Sequence, residues 1–240
     1  MRVWDINPGY LNRQSLLGEH RELHGIISIY LHGKKGYSRH PETLRWAGCS
    51  WALRQRHQQL AAEMELRGYC DRSPVPEDFA ENAGTWPGLY IDEPYQQFSI
   101  LRAKYTDKDK DKDSGRIPLP VTAQQCWSQH KYSLLARDPG LYKKIGKEIS
   151  VMKPSQEFSQ TALLLTESLR KQPSAGGLRN ALQHMWGYVS DSSAHQINSV
   201  EILSLRQLLE EIQKRAVEVG EPYLLQSTAL SELAVWLPES

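Results

Sequence analysis

Apolar residues recur at intervals of three and four along much of the chain, which is the period of an amphipathic helix. One long helix is predicted between Asn12 and Gly33, with the glycine as its stop signal. A second helix is predicted from Ser50, interpreted as its N-cap, to Gly68. The sequence contains no convincing hairpin signal or alternating strand pattern. The pattern therefore predicts an all-α fold.

The helical period fades after the second helix. Residues 71–105 are rich in glycine and proline, so they are predicted to be mostly loop, with a short helix near Glu77. An alternating run of aspartate and lysine follows between Thr106 and Gly115, and it has no residue to bury. We expect a solvated linker at 106–117.

Helical patterns return beyond the charged run. Thr122 and Gln125 fit a capping box that opens a helix to about Arg137, and Pro139 restarts the chain into another helix. Later helices are predicted near 155–171, 178–190, 199–219 and 222–236.

Two domains follow from this division. The first is predicted at 1–105 and a helical accessory domain at 118–240, with the linker between them. The helix pair at 122–148 leaves the boundary open, because the first domain reaches about 148 if the pair belongs to it.

Composition narrows the class of protein. The chain has 240 residues, 40% of them hydrophobic, and no apolar stretch long enough to cross a membrane. Its three cysteines are an odd number at wide spacings, which favours a reducing cytoplasm over a disulfide framework. Phosphate-binding glycine loops and metal-binding motifs are missing, and the eight histidines form no recognisable ligand pattern. We therefore expect neither a metal nor a cofactor.

Charge is unevenly distributed along the chain. The formal net charge of +1 argues against a uniformly basic nucleic-acid binder. However, residues 1–70 hold ten basic and six acidic side chains, whereas residues 71–105 hold three and six. The total is a cancellation between segments, and it permits a basic N-terminal face.

Charged residues crowd onto one part of the first helix. At helical spacing, Gly18, Arg21, Glu22 and Gly25 fall on adjoining positions. A carboxylate beside a permanent cation can stay ionised and act as a base or stabilise developing positive charge. An ordinary exposed charged face would give the same pattern.

These residues resemble a known family. Met1-Arg2-Val3-Trp4-Asp5, Leu11-Asn12-Arg13-Gln14 and Leu17-Gly18-Glu19-His20-Arg21-Glu22-Leu23 look like the N-terminal region of the pyrimidine dimer DNA glycosylases, the phage endonuclease V family and its bacterial relatives. The resemblance covers at least residues 1–70. It continues through Lys34-Gly36-Tyr37, His40-Pro41, Leu53-Arg54-Gln55-Arg56-His57 and Glu65-Leu66-Arg67-Gly68-Tyr69.

The resemblance implies a mechanism. Enzymes of this family attack the sugar C1′ with the α-amine of the chain terminus and form a Schiff base that leads to strand cleavage. An α-amine has a pKa near 7.7–8.0, so roughly a third of it is neutral at about pH 7.5. By analogy Met1 is the nucleophile and Glu22 is the catalytic carboxylate. The family's helix histidine is replaced by Ser15, and an arginine expected three positions after the glutamate is Gly25.

The C-terminal part resembles a second family, the helical domain of unknown function 1722. The matching residues are His130-Lys131-Tyr132, Leu134-Leu135-Ala136-Arg137, Pro139, Tyr142, Ile145-Gly146, Arg179-Asn180-Ala181-Leu182-Gln183-His184 and Gly187-Tyr188. Members occur fused to desulfidases that act on thiolated nucleobases, which implies a nucleic-acid-targeting module.

The candidate nucleic-acid contacts combine both resemblances with the local basic charge, because basic groups contact phosphates and aromatic rings stack on bases. They are Arg2, Arg13, Arg21, Lys34, Lys35, Arg39, His40, Arg54, Lys131, Tyr132, Lys143, Lys144, Asn180 and His184.

Three hypotheses remain at this point. The leading one is a DNA glycosylase with AP lyase activity on pyrimidine dimers or related lesions in duplex DNA. The second is a protein that processes or targets a modified or thiolated base in RNA, such as tRNA. The third is a non-catalytic nucleic-acid-binding adaptor. All three have nucleic acid as the partner and none involves a membrane, and the oligomeric state is left open.

Overall fold

The computed structural model describes residues 1–76, 79, 84–106, 114–190 and 202–238, and these form two compact units, Met1–Gly115 and Arg116–Ser240. The all-α prediction is confirmed, since the described residues form helices and no strand. Most of the charged run and the expected short helix near Glu77 lie outside the described residues.

The described residues of the first unit form four α-helices and two short 3₁₀ helices. The 3₁₀ helices span Pro8–Tyr10 and Gly36–Arg39. The α-helices are α1 (Arg13–His32), α2 (Pro41–Arg45), α3 (Ser50–Leu66) and α4 (Pro94–Thr106).

Helix α1 forms as the sequence predicts. Asn12 is its N-cap and accepts a hydrogen bond from the Ser15 amide at 2.8 Å, while Gly33 ends the helix in the left-handed conformation at φ 60°. The face carrying Leu23 and Ile26 is fully buried, and α1 packs against α3. This packing fixes the face of α1 that bears Glu22.

Three helices of the first unit differ from the prediction or were not predicted. Ser50 is the first residue of α3 rather than its cap, which is Cys49 and makes no side-chain capping bond. Residues 71–105 include α4, a helix of 13 residues that starts at Pro94, where proline's missing amide costs nothing. A short helix that was not predicted, α2, precedes α3 and is capped by the His40 imidazole.

The second unit is an assembly of helices around an apolar core that includes Leu134, Leu165, Leu182 and Leu208. Its α-helices are α5 (Ala123–Leu135), α6 (Pro139–Ser150), α7 (Ser159–Leu169), α8 (Ala175–Trp186), α9 (Leu205–Val219), α10 (Pro222–Leu225) and α11 (Ala229–Glu232). A 3₁₀ helix follows at Leu233–Trp236. The helix pair α5 and α6 belongs to this unit.

In the second unit one predicted helix start is confirmed, and the predicted bounds of two other helices are wrong. Thr122 accepts from the Gln125 amide at 3.1 Å and opens α5, as predicted. Helix α9 begins later than predicted, at Leu205, because Ser204 supplies a reciprocal capping box. The segment 222–236 is not one helix but three short ones.

Within the described ranges, no helix combines the length and the hydropathy needed to cross a bilayer.

Candidate functional site

A cavity of about 590 Å³ opens beside the first half of α1 in the N-terminal unit. It brings together both predicted catalytic residues and three of the predicted nucleic-acid contacts. Its lining residues are Met1, Arg2, Trp4, Arg13, Gln14, Ser15, Leu17, Gly18, Glu19, Arg21, Glu22 and Lys104. Four of these side chains are cationic and two are carboxylic, so the cavity suits an anionic ligand.

The two carboxylates of the cavity differ in environment. Glu22 is half-buried on the cavity wall, one turn of α1 from Gly18. Glu19 is 2% exposed, and its two oxygens accept hydrogen bonds from Arg56 of α3 at 2.7 and 3.0 Å. Burial raises the pKa of Glu19 above its ordinary value, and the Arg56 guanidinium opposes that rise. Glu19 is therefore committed to an internal ion pair, and Glu22 is the carboxylate available to a ligand.

The first residues reach the cavity through a buried segment without regular structure. Because Val3 and Ile6 are each 1% exposed, their backbone groups need internal partners. Side chains supply them: Glu19 accepts from the Trp4 amide at 3.2 Å, and Arg56 donates to the Ile6 carbonyl at 2.9 Å.

Two more side chains form hydrogen bonds with the backbone of this N-terminal segment. Arg45 donates to the Val3 carbonyl at 3.2 Å, and Gln97 of α4 accepts from the Asp5 amide at 2.8 Å. Asp5 and Arg45 also form an ion pair at 2.9 Å in which both side chains are almost fully buried. Residues far apart in sequence therefore hold Met1 at the cavity.

The side chain of Met1 fills the space beside α1. A Cβ atom built on Gly25 would lie 3.5 Å from the Met1 methyl carbon, and the Thr43 hydroxyl lies 3.5 Å from the Met1 sulfur. The glycine that departs from the family pattern is therefore the residue that leaves room for Met1. A longer side chain at this position would compete with Met1 for the same volume.

The cations of the cavity are held in different ways. Arg2 pairs with Asp92 and lies over the Trp4 ring, 4.3 Å from its centroid. Arg13 and Arg21 are exposed. Lys104, which the sequence analysis missed, donates to Ser15 at 2.9 Å. An ammonium group thus adjoins the position where the family's histidine was expected.

The other predicted contacts of the first unit lie away from this cavity lining. Lys34, Lys35 and Arg39 are exposed on the segment between α1 and α2. His40 uses its Nδ1 to accept from the Glu42 amide at 3.1 Å, which explains its place as a helix cap. Arg54 is half-buried on α3.

The predicted contacts of the second unit lie on three helices, α5, α6 and α8. Lys143 and Lys144 are exposed on α6, whereas α8 carries a half-buried Asn180 and an exposed His184. Lys131 is half-buried, with its ammonium 4.7 Å from the Tyr132 ring centroid.

The prediction of Tyr132 as a base-stacking residue meets a physical obstacle. Its side chain is 4% exposed, and its ring lies 6.1 Å from that of Tyr188 in an edge-on arrangement. A ring must expose a face before a base can stack on it. We therefore remove Tyr132 from the candidate contacts, and Tyr188, which is 38% exposed, is the more accessible ring.

A cluster of histidines was also missed by the sequence analysis, which expected none. His20 and His24 of α1 meet His57 of α3, and one ring nitrogen from each lies within 4.8 Å of the corresponding nitrogens of the other two. The spacing of four between His20 and His24 puts both on one side of α1 and was a readable signal. His57 is distant in sequence and gave none.

Two family models match the chain. The model described as "Pyrimidine dimer DNA glycosylase" matches residues 1–77, and the model described as "Protein of unknown function (DUF1722)" matches residues 131–233. Both resemblances inferred from the sequence are therefore confirmed. The first match contains every residue of the cavity lining except Lys104. No curated protein and no solved structure matches the chain.

Proposed function

We propose that this chain is a DNA glycosylase with AP lyase activity, acting on pyrimidine dimers or related damaged bases. The match of residues 1–77 to the pyrimidine dimer DNA glycosylase model points to a glycosylase-like function and to nucleic acid as the partner. The observation that carries the proposal is the cavity, whose lining includes both Met1 and Glu22.

The proposed reaction begins at the α-amine of Met1. Its nitrogen lone pair attacks the sugar C1′, the bond from C1′ to the damaged base breaks, and the base leaves with the bonding electrons and takes up a proton. The amine nitrogen loses one proton, the bond from C1′ to the ring oxygen breaks, and that oxygen takes up a proton, which leaves a protonated imine (an iminium ion) between Met1 and C1′. A proton is then removed from C2′, and the 3′ phosphate leaves by elimination. Water finally hydrolyses the iminium and releases the amine.

Glu22 serves two purposes in this scheme. Its carboxylate stabilises the positive charge that develops on the sugar, and it transfers protons to and from the reacting atoms. Arg13 and Arg21 are exposed at the same cavity and would pair with the flanking phosphates. Base excision requires that the target nucleotide leave the helical stack, and a cavity of about 590 Å³ is large enough for a flipped nucleotide.

Borohydride trapping tests the nucleophile directly. The full chain is incubated with ultraviolet-irradiated duplex DNA and sodium borohydride, which reduces an iminium to a stable amine. We expect a covalent protein–DNA adduct whose attached residue, located by peptide mass spectrometry, is Met1. An extension that precedes Met1 should abolish the adduct. Trapping at a lysine instead, or no adduct at all, would refute the assignment.

A matched pair of variants tests the carboxylate. Glu22→Gln keeps the shape of the side chain but removes its charge, so we expect strand cleavage to fall at least about 100-fold, the usual contribution of a positioned acid or base. Glu65→Gln is the control, because Glu65 is an exposed carboxylate of α3 outside the cavity lining. Equal activity of the two variants would contradict the role of Glu22.

The same assay separates the alternatives. Bulk tRNA and damaged duplex DNA are compared at one fixed salt concentration, because phosphate contacts make affinity depend strongly on salt. Adduct formation with tRNA alone would favour the RNA-directed enzyme. Binding of either nucleic acid without any adduct would favour the adaptor.

A further inference from the structure

The histidine cluster of the first unit lies outside the lining of the candidate catalytic cavity. Helix α1 contributes His20 and His24, helix α3 contributes His57, and the segment after α3 contributes Asp71. The Asp71 carboxylate reaches two of the rings, with one oxygen 3.2 Å from His20 Nε2 and the other 3.4 Å from His57 Nε2. The Nε2 atoms of His24 and His57 are 3.2 Å apart. Four potential ligand residues thus converge from three parts of the chain.

These separations agree with those around a tetrahedral metal ion. With bonds of about 2.0–2.1 Å to nitrogen or oxygen, neighbouring ligands of a four-coordinate zinc ion lie about 3.4 Å apart. Three separations at the cluster, 3.2, 3.2 and 3.4 Å, are close to that value, and one ligand nitrogen from each histidine lies within 4.8 Å of the others. Asp71 would supply one of its two oxygens, and the more distant rings would move closer to complete the coordination shell.

An unsatisfied nitrogen provides an independent indication. His20 Nε2 is buried and makes no hydrogen bond, although Asp71 lies within reach. A buried polar atom without a partner is costly and calls for an explanation. A metal ion at the centre of the cluster supplies the missing partner.

We propose that His20, His24, His57 and Asp71 form a binding site for a divalent transition metal, with zinc as the best fit. Imidazole nitrogen with one carboxylate oxygen suits zinc and its first-row neighbours rather than magnesium or calcium, which prefer oxygen ligands. Four protein ligands close the coordination shell, which is characteristic of structural sites. The ion links α1, the helix that carries Glu22, to α3 and to the segment that follows it.

Cobalt substitution tests the site in the full chain. The protein is first treated with a chelator and exchanged into metal-free buffer, and then Co²⁺ is added as a spectroscopic probe. We expect one equivalent to bind with the intense visible absorption of tetrahedral cobalt, and Zn²⁺ to displace it. Zn²⁺ in excess should also raise the melting temperature, because it binds the folded state. Absence of stoichiometric binding would leave the residues as an internal hydrogen-bonded cluster and overturn the proposal.

Variants locate the bound ion. His20→Gln and His24→Gln are suitable because both residues are half-buried, and circular dichroism checks that each variant is folded. We expect each to weaken Zn²⁺ binding at least tenfold, which is the lower limit even for residues that only support a ligand. Asp71→Asn, which preserves the size of the side chain, should also weaken binding and serves if either histidine variant fails to fold.

Two controls exclude other sites. His32→Gln removes an exposed histidine from the last turn of the same helix and should leave the affinity unchanged. Cys70→Ser removes the exposed thiol that precedes Asp71 and should leave the cobalt spectrum without change. If His32→Gln weakens binding as much as His24→Gln does, the ion is bound adventitiously and the proposal fails.

Discussion

The ion pair between Glu19 and Arg56 gives the sharpest prediction about stability. Arg56 is 1% exposed and donates four hydrogen bonds: two to Glu19, one to the Ile6 carbonyl at 2.9 Å and one to Gln59 at 3.3 Å. Arg56→Met keeps much of the apolar stem but leaves the Glu19 carboxylate buried beside an uncharged side chain. Breaking a buried pair in this way costs about 3–5 kcal/mol. We expect the free energy of unfolding of the first unit to fall by that amount at neutral pH.

The loss should depend on pH in a defined direction. The folded-state pKa of Glu19 is already raised by burial, and removal of Arg56 raises it further. A carboxyl group with a raised folded pKa destabilises the fold above its unfolded pKa, and this penalty shrinks as pH falls below the folded value and is gone near the unfolded value. The deficit of Arg56→Met relative to the wild type should therefore shrink between pH 7.5 and pH 5.

Denaturant unfolding at each pH, followed by tryptophan fluorescence, measures both effects. The double variant Glu19→Leu/Arg56→Met is the matched control, since it removes both charges and should be more stable than Arg56→Met alone. A loss below about 1 kcal/mol at neutral pH, which is the range of exposed ion pairs, would refute the reasoning. A deficit that does not change with pH would also refute it. So would a double variant whose loss of stability equals the sum of the losses in Arg56→Met and Glu19→Leu.

Three further predictions concern the second unit. Gly177→Ala places a Cβ against the Ala136 carbonyl oxygen, so α8 must move away from the end of α5 and the melting temperature should fall by several degrees. The same substitution at Gly176, which has open space around it, should not lower the melting temperature. Lys143→Gln/Lys144→Gln removes two exposed cations of α6. If both contact phosphate, the slope of log affinity against log salt concentration for duplex DNA should drop by up to about 1.8, and an unchanged slope would exclude both lysines as phosphate contacts. Asp138→Ala removes the N-cap of α6, which accepts a hydrogen bond from the Leu141 amide at 2.8 Å, and should lower the free energy of unfolding by about 1 kcal/mol in denaturant unfolding. Asp138→Asn can still accept this bond and should keep most of the wild-type stability.

The sequence predicted those helices whose ends are marked by capping and stop residues next to them in the chain. Helix α1 has an asparagine cap, a regular apolar face and a terminal glycine, so its bounds followed from the sequence. Helix α4 was missed because its residues lack a clear apolar period and the preceding stretch is rich in proline and glycine. Its burial depends on partners such as Tyr10, whose ring lies 4.9 Å from that of Phe98.

The residues of the candidate site likewise divide into those that the local sequence predicted and those whose roles depend on tertiary contacts. Glu22 could be proposed from the sequence because its neighbours on α1 carry the family resemblance. The role of Glu19 could not, since its partner Arg56 is 37 positions away. The convergence of His57 and Asp71 on α1 is likewise a tertiary contact that spacing does not encode. Pairings between distant residues require the packed helices, which a single sequence does not contain.

The buried segment that carries Met1 also has a consequence for the order of events during synthesis. Arg2 pairs with Asp92, and the Asp5 amide with Gln97, across separations of 90 and 92 residues. These partners leave the ribosome long after the segment that needs them. The amine proposed as the nucleophile can therefore be positioned only once α4 has been made, so reactivity toward DNA should mark a fully synthesised first unit and not a nascent one.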